Sequence, residues 1–401
     1  MRVRSAVVRS ALDVGSASLA APPGRRRRRG LQTLTAAAAA LVLGAGGSAL
    51  AAPAAAAPVV GCGAVVEGEV TLGADLVCRN SPVGLTLLDG ASLDLAGHRV
   101  VGGGSGTGLI VPPGGSATVH GGVVRGWESG VALAEDAWDA PGRLVIEDVT
   151  FRENTTGLEL QGLGTVAPDT DVTASRFVAN GTGISALDLW GGVDLTVSAS
   201  RFTDNATALD VTSSTVAVAD SVLAYNEQGV ACDQSACRIE DSTLRDNGTA
   251  VSSIWYGTAR VYRSTFVRND IGVDSYWVLS IPNELVGNTF TANGTGVRFD
   301  SAHGVLTDNT FVRNDVGYEG RSEDGPPYFT AALVGNDFRR NGDGILSVVG
   351  ESTLQANTAV ANERWGIHAP GAVDLGGNTA RGNGNEPQCV GVVCEGAGPA
   401  S

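Results

Sequence analysis

A Phe-x-x-Asn unit, sometimes with an aliphatic in place of the Phe, recurs eleven times between Phe151 and Asn383. The series runs through Asn154, Asn180, Asn205, Asn226, Asn247, Asn269, Asn293, Asn314, Asn341 and Asn362 to Asn383. Three residues after most of these Asn comes Gly or Ala and then an aliphatic, as in Gly272-Val273 and Gly296-Val297. Successive units lie 21 to 27 residues apart. That period, with β-branched residues and Gly-rich turns, predicts a solenoid of short strands.

Each unit reads as strand, turn, strand, turn. Between Ala259 and Ser275, Val261 and Tyr262 fall in one strand, Ser264 to Phe266 at a bend, Asn269 at a turn and Val273 in a second strand. No run has helical period and length. With parallel strands stacked about 4.8 Å apart, about twelve coils predict an all-β rod of roughly 60 Å. Two polar ladders are expected along it. One is the Asn of the unit, an amide that tolerates left-handed turn geometry and stacks coil on coil. The other lies two residues before the Phe: Ser175, Ser200, Ser221, Ser242 and Ser264, then Asn288, Asn309, Asn336, Asn357 and Asn378. Recurrence in every coil marks both as structural.

The N-terminus reads as an export signal over 1–57. Arg25 to Arg29 supply the basic region, Leu31 to Leu50 the apolar one, and Ala49-Leu50-Ala51 a cleavage site. A cap at 58–83, a β-helix at 84–388 and a tail at 389–401 follow. The basic residues are all Arg. Beyond residue 30 there are 19 of them against 41 acids, a balance of about −22. That charge argues against nucleic acid and, after signal cleavage, against an anionic membrane surface. Six Cys form three short-range pairs, Cys62/Cys78, Cys232/Cys237 and Cys389/Cys394. An even count in an exported chain predicts disulfides. The outer two would tie down the solenoid ends, which favours a monomer over end-to-end stacking.

The opening Cys62-Gly63, Asp75-Leu76-Val77-Cys78 and Leu93-Asp94-Leu95-Ala96-Gly97-His98-Arg99-Val100-Val101-Gly102 resembles the first coils of exported bacterial β-helix repeat proteins. The chain is similar to the right-handed parallel β-helix (pectin lyase-like) superfamily. That group includes pectate lyases, polygalacturonases, mannuronan epimerases and NosD-like repeat proteins. The resemblance implies the fold; one fold hosts many activities. The paired aspartates and Arg-Ile-Lys of polygalacturonases are missing, Ala302-His303-Gly304 being a lone fragment of the Gly-His-Gly. The Asp-Pro-His-Glu of the epimerases is missing too, and no Lys is present to serve as a lyase base. NosD is associated with copper-site maturation, but copper wants His, Met or Cys ligands. Here His98, His120, His303 and His368 are scattered and the Cys read as paired, so no metal or other cofactor is expected from this source.

Register marks one outward sheet face. Counting from the Gly or Ala, the outward positions of four consecutive coils are Ser252 and Ile254, Asp274 and Tyr276, Arg298 and Asp300, and Glu319 and Arg321. Trp255, Tyr256, Trp277 and His303 lie beside them. The two longest nearby insertions, Ser275 to Asn283 and Gly320 to Thr330, leave from the same strand end. Three readings stand open. In the first, the face engages polysaccharide or a cell-surface glycan, with Trp255 and Trp277 stacked on sugar rings, Tyr256, Tyr276, His303 and Glu319 flanking them, and the arginines holding hydroxyls or carboxylates. In the second, Asp274, Asp300, Arg298 and Arg321 form a catalytic set. The two Asp, very roughly 8 Å apart, would then serve inverting hydrolysis, or an Arg would act as base in β-elimination. In the third, the alternating charges are a surface ladder on a structural spacer or adhesin. Trp127, Glu135, Asp136, Trp138 and Asp139 form a second cluster in an early insertion. Its acids suit calcium, but a solvated loop is the ordinary reading of such a cluster.

Overall fold

The computed structural model describes residues 60–133, 142–162, 169–188, 192–278, 281–322, 330–348 and 352–395. The expected signal region lies outside these, as do Glu135, Asp136, Trp138 and Asp139. The described chain is a parallel β-solenoid. One sheet, here sheet A, stacks 15 strands from Ala64–Val66 to Cys389–Val390. The remaining strands cover the other two sides. The long strands Ser116–Arg125 and Arg143–Arg152 run unbroken across both of these sides, and later coils split them in two: Leu144 pairs with Thr170 and Phe151 with Phe177.

Each typical coil therefore has three strands where the sequence suggested two. In the coil read above, Thr258–Tyr262, Thr265–Val267 and Ile271–Tyr276 follow one another. The segment expected as a bend is a three-residue strand, with Phe266 pointing inward. Single left-handed residues make the corners. Arg263 has φ 47° and Arg268 φ 52°. The turn residue is thus the one before Asn269, not the Asn itself. With the bend made by its neighbour, the Asn side chain is free to point inward, and the strained corner position takes residues as varied as Ala179, Asp204, Tyr225 and Arg313, which stand out in solvent.

Inside, the Asn stack saturates its hydrogen bonds. Asn293 Oδ1 accepts from Asn269 N at 2.9 Å and Asn269 Nδ2 at 3.0 Å. Its Nδ2 donates to Asn314 Oδ1 at 2.9 Å and to the Phe266 carbonyl at 3.1 Å. This pattern repeats from Asn154 to Asn383. The second ladder behaves alike, Ser264 N donating to Asn288 Oδ1 at 2.8 Å where Ser gives way to Asn. Beside the amides, Phe rings stack at centroid spacings of 4.5 to 4.8 Å through Phe266, Phe290, Phe311 and Phe338. The Gly of the repeat makes room for them, since a Cβ on Gly272 would stand 2.9 Å from Phe290 Cδ1.

Both ends of the ladder are capped. Trp127, expected in a surface insertion, is buried in the core. Its backbone N–H donates to Asn154 Oδ1 and its indole Nε1 to the Val100 carbonyl. It occupies the place that Asn takes in later coils, which the repeat could not reveal because that position is not Asn. At the other end, Gln388 Oε1 accepts from Asn383 N and Nδ2, each at 2.8 Å.

All three Cys pairs are disulfides: Cys62–Cys78, Cys232–Cys237 and Cys389–Cys394. The first and last sit in the terminal coils, and Cys232–Cys237 lies wholly inside the rod. The last pair corrects the expectation of a tail from residue 389. Cys389–Val390 is the final strand of sheet A, in register with Ile367 and His368. Cys394 is not in a free tail either; it packs, partly buried, against the core. Its neighbour Glu395 donates its backbone N–H to the Asn378 carbonyl at 2.8 Å. The Cys389–Cys394 disulfide thus closes the last coil, and the rod continues to Glu395. The reason is physical: the open end of the sheet needs a strand to cover Ile367, and a five-residue loop tied by a disulfide supplies one. Three disulfides mark an exported, oxidising setting.

Candidate functional site

Sheet A brings the expected residues into one register. Ser252, Asp274, Arg298 and Glu319 are in line across four strands; so are Ile254, Tyr276, Asp300 and Arg321. The charges are already matched. Arg298 grips Asp274 through Nε at 2.9 Å to Oδ1 and through Nη2 to Oδ2. Arg321 Nη2 reaches Glu319 Oε1 at 2.6 Å. Asp300 is only 7% exposed and accepts from Ser301 Oγ at 3.2 Å. The Asp274 carboxylate, bonded to Arg298, holds that guanidinium above its ordinary value, with Glu319 and Asp300 adding to the effect. A guanidinium so held gives up a proton even less readily than a free one, which works against Arg298 as a base.

The aromatics stand where sheet A ends. Trp255 and Tyr256 are 49% and 55% exposed. Trp255 and Trp277 rings are 5.7 Å apart, and Trp277 lies 6.0 Å from Tyr276. A left-handed corner is ordinary at this place, as at Ser213, Gln234, Trp277 and Ser301. The Trp255 coil departs from it. It carries one residue more than the coil before, and both Trp255 (φ 49°) and Tyr256 (φ 73°) are left-handed. Bulky side chains rarely hold that conformation. Here two in succession push their rings out from the rod. His303 is held one coil on, its Nδ1 accepting from Thr330 N at 3.2 Å. Residues 279–280 and 323–329 of the two insertions lie outside the described residues.

Beneath this corner is a buried polar group that the outward-facing count passed over. Ser253 Oγ donates to Asn283 Oδ1 at 3.1 Å, so its 2.6 Å contact with Ser275 Oγ must take the Ser275 proton. Asn283 also accepts from Ala259 N at 2.8 Å and donates to the His303 carbonyl at 3.2 Å. One amide thus ties together the coils that carry Trp255, Trp277 and His303. The signal in the sequence was Ser at two inward positions where the preceding coils have Val211 and Cys232.

Residues 144–325 match the family described as Periplasmic copper-binding protein (NosD). No curated protein matches the chain. Among solved structures, it is similar to the catalytic unit of the thermostable GH87 alpha-1,3-glucanase from Streptomyces thermodiastaticus strain HF3-3, at 18% identity and a TM-score of 0.38. The match covers 70% of this chain and 63% of that one, less than two thirds of its length. Likeness at this level says nothing of activity. The family name raises copper, and the donors do not fit it. Every Cys is in a disulfide. His98 faces Asp75 at 3.6 Å and His120 faces Asp94 at 3.5 Å, the His368 ring lies tilted against Trp365 at 4.7 Å, and His303 is held by Thr330. No group of three metal-binding side chains occurs among the described residues. The chain is a parallel β-helix repeat protein whose middle coils, residues 144–325, are similar to the NosD family.

Proposed function

We propose that this is a secreted or cell-surface rod that holds polysaccharide along sheet A, with Trp255, Tyr256, Tyr276 and Trp277 as the sugar platform. The observation that carries the reading is the pair of half-exposed, left-handed aromatics at Trp255 and Tyr256, anchored from below by Asn283. Large apolar rings fixed outward on a rigid scaffold offer binding area at little conformational entropy. With Asp274–Arg298 and Glu319–Arg321 already paired, hydroxyl-rich neutral sugars suit this face better than acidic ones. An acidic sugar would have to displace a carboxylate from its guanidinium.

Hydrolysis or elimination at the same face is the second reading. It rests on Asp300, an almost buried carboxylate one coil from Asp274. One experiment separates the readings. The purified protein is mixed with neutral and acidic polysaccharides, and retention, new reducing ends and unsaturated products are followed together. Binding predicts that Trp255→Ala and Trp277→Ala each weaken retention about tenfold or more, the ~2 kcal/mol scale of a central aromatic contact, while Asp300→Ala changes it little. Product release abolished by Asp300→Ala would establish the enzyme reading. Retention that ignores both Trp substitutions would remove the platform.

A further inference from the structure

A different corner of the rod carries an unassigned basic groove. Two outward rows run along the edge where each coil turns into sheet A. One is the last residue of the short strands, in register through Val267, Thr291, Val312, Arg339, Val360 and Arg381. The other is the left-handed residue that follows it: Arg268, Ala292, Arg313, Arg340 and Ala361. Earlier along these rows the arginines meet acids. Arg125 pairs with Glu153, and both Arg245 and Arg268 pair with Asp246. Beyond Arg268 neither row contains an acid. Arg339 reaches Asp337 at 2.7 Å from a neighbouring row. Arg313, Arg340 and Arg381 make no ion pair among the described residues.

The shape matches the charge. The coil between Arg339-Arg340 and Arg381 presents only Val360 and Ala361, and the gap is a groove of about 480 Å³ that Thr358 also lines. Two strand spacings set Arg339 and Arg381 about 10 Å apart along the rod, with Ala361 midway. An anionic group resting over Ala361 is reached by guanidinium forks from both sides. The groove has an aliphatic floor and no aromatic ring on which a base could stack. The chain around it is strongly acidic, at a formal −15, which penalises a densely charged polyanion more than a sparse one.

We propose that this groove binds a sparsely anionic glycan, carrying one carboxylate or sulfate per sugar, with an anionic group seated over Ala361 between Arg339-Arg340 and Arg381. The site is separate from the aromatic platform, which stands at the opposite end of the sheet A strands, and it prefers the opposite kind of sugar. The test uses the exported chain with its disulfides intact. Binding of polygalacturonate is measured against its fully methyl-esterified form and against a single-stranded oligonucleotide, at low and at raised salt. The acid form should bind, weaken as salt rises, and lose at least tenfold on esterification. Arg340→Ala/Arg381→Ala, and separately Arg340→Gln/Arg381→Gln, should lose at least tenfold with unchanged circular dichroism. Arg176→Ala, in the same outward row as Thr358 but eight coils earlier along the rod, and Trp255→Ala should bind as wild type. Equal binding of the ester, full binding by both double variants, or tighter binding of the oligonucleotide would overturn the proposal. Loss in Trp255→Ala alone would instead move the acidic glycan to sheet A.

Discussion

Replacing Asn293 with Ala tests whether the amide ladder holds the rod together. Asn293 is 2% exposed, as are its stack neighbours Asn269 and Asn314. The substitution leaves Asn269 N–H and one Asn269 Nδ2 proton without their shared acceptor, and the Phe266 carbonyl without its donor. Asn314 Oδ1 keeps the backbone N–H of position 293. Two orphaned buried donors at about 1–3 kcal/mol each give a loss of about 4 kcal/mol. That is a large share of the ~5–15 kcal/mol that holds a typical domain. Because a solenoid couples mainly nearest neighbours, the loss should be local as well as global. Urea denaturation reads the global part. Hydrogen exchange at the Asn269 amide reads the local part, which should rise steeply while exchange near Asn180 changes little. Asn293→Asp sharpens the test. Its carboxylate keeps both contacts from Asn269 but turns lone pairs toward Asn314 Oδ1 and the Phe266 carbonyl. Burial raises such a carboxyl above its unfolded value near 4. Its deficit against wild type should therefore be full at neutral pH and shrink as pH falls through the raised value. An Asn293→Ala protein within about 0.5 kcal/mol of wild type, with Asn269 still protected, would refute the reasoning.

Two further outcomes follow from the same structure. Crowding against sheet A first, and the charge of Asp233 second, raise the Asp210 carboxyl above its ordinary value. Its favourable contribution is present below the unfolded value near 4 and lost as pH rises through the folded one, so Asp210→Asn should raise the denaturation midpoint at pH 7 and leave it unchanged near pH 3. The group is open to solvent on one side, so the rise is small; a lower midpoint at pH 7 would contradict it. Mild reduction followed by alkylation should label Cys62 and Cys78 well before Cys232 and Cys237, because Cys62 is exposed while the central pair is buried inside the rod. Opening the Cys62–Cys78 loop, 16 residues in separation, should lower stability by about 3 kcal/mol on the chain-entropy account. Simultaneous labelling of both pairs in the folded protein would show that the interior pair is accessible.

What could be read in advance was whatever stacking dictates. An inward side chain must fit the same side chain one coil away, so Phe290 meets Phe311 and Asn293 meets Asn314, and the interior prints itself on the sequence as a period. The same period fixed the outward register of Asp274, Arg298 and Glu319, which the strand pairing reproduces. The third strand of each coil was not legible. Three residues such as Thr265-Phe266-Val267 are too few to show alternation apart from their flanking corners. Trp127 was misread for a related reason: as the one-off cap of a repeat it shares nothing with the members it caps, and its acidic sequence neighbours suggested a loop. The closing strand at Cys389–Val390 escaped notice in the same way, since after Asn383 no further unit marks a coil. Pairing partners on the surface were also hidden. The sequence offered Arg298 both Asp274 and Glu319 as in-line neighbours, and side-chain geometry gives it Asp274.

The same logic says where function can be sought in such a rod. A residue that conforms to the period is accounted for by its neighbours above and below, whatever the protein does. Information beyond the fold is left in the departures. The coil at Trp255 is one residue longer than its predecessor and turns two aromatics outward at a corner otherwise held by Ser213 or Gln234. Ser253 and Ser275 interrupt an aliphatic row to anchor that corner through Asn283. The acids that neutralise one edge stop after Asp246, and Arg313, Arg340 and Arg381 follow without replacement. The repeat does not call for the extra corner residue or for the arginines left without acids. That asymmetry between a regular interior and irregular edges at two corners is the physical ground for reading the rod as a binding surface.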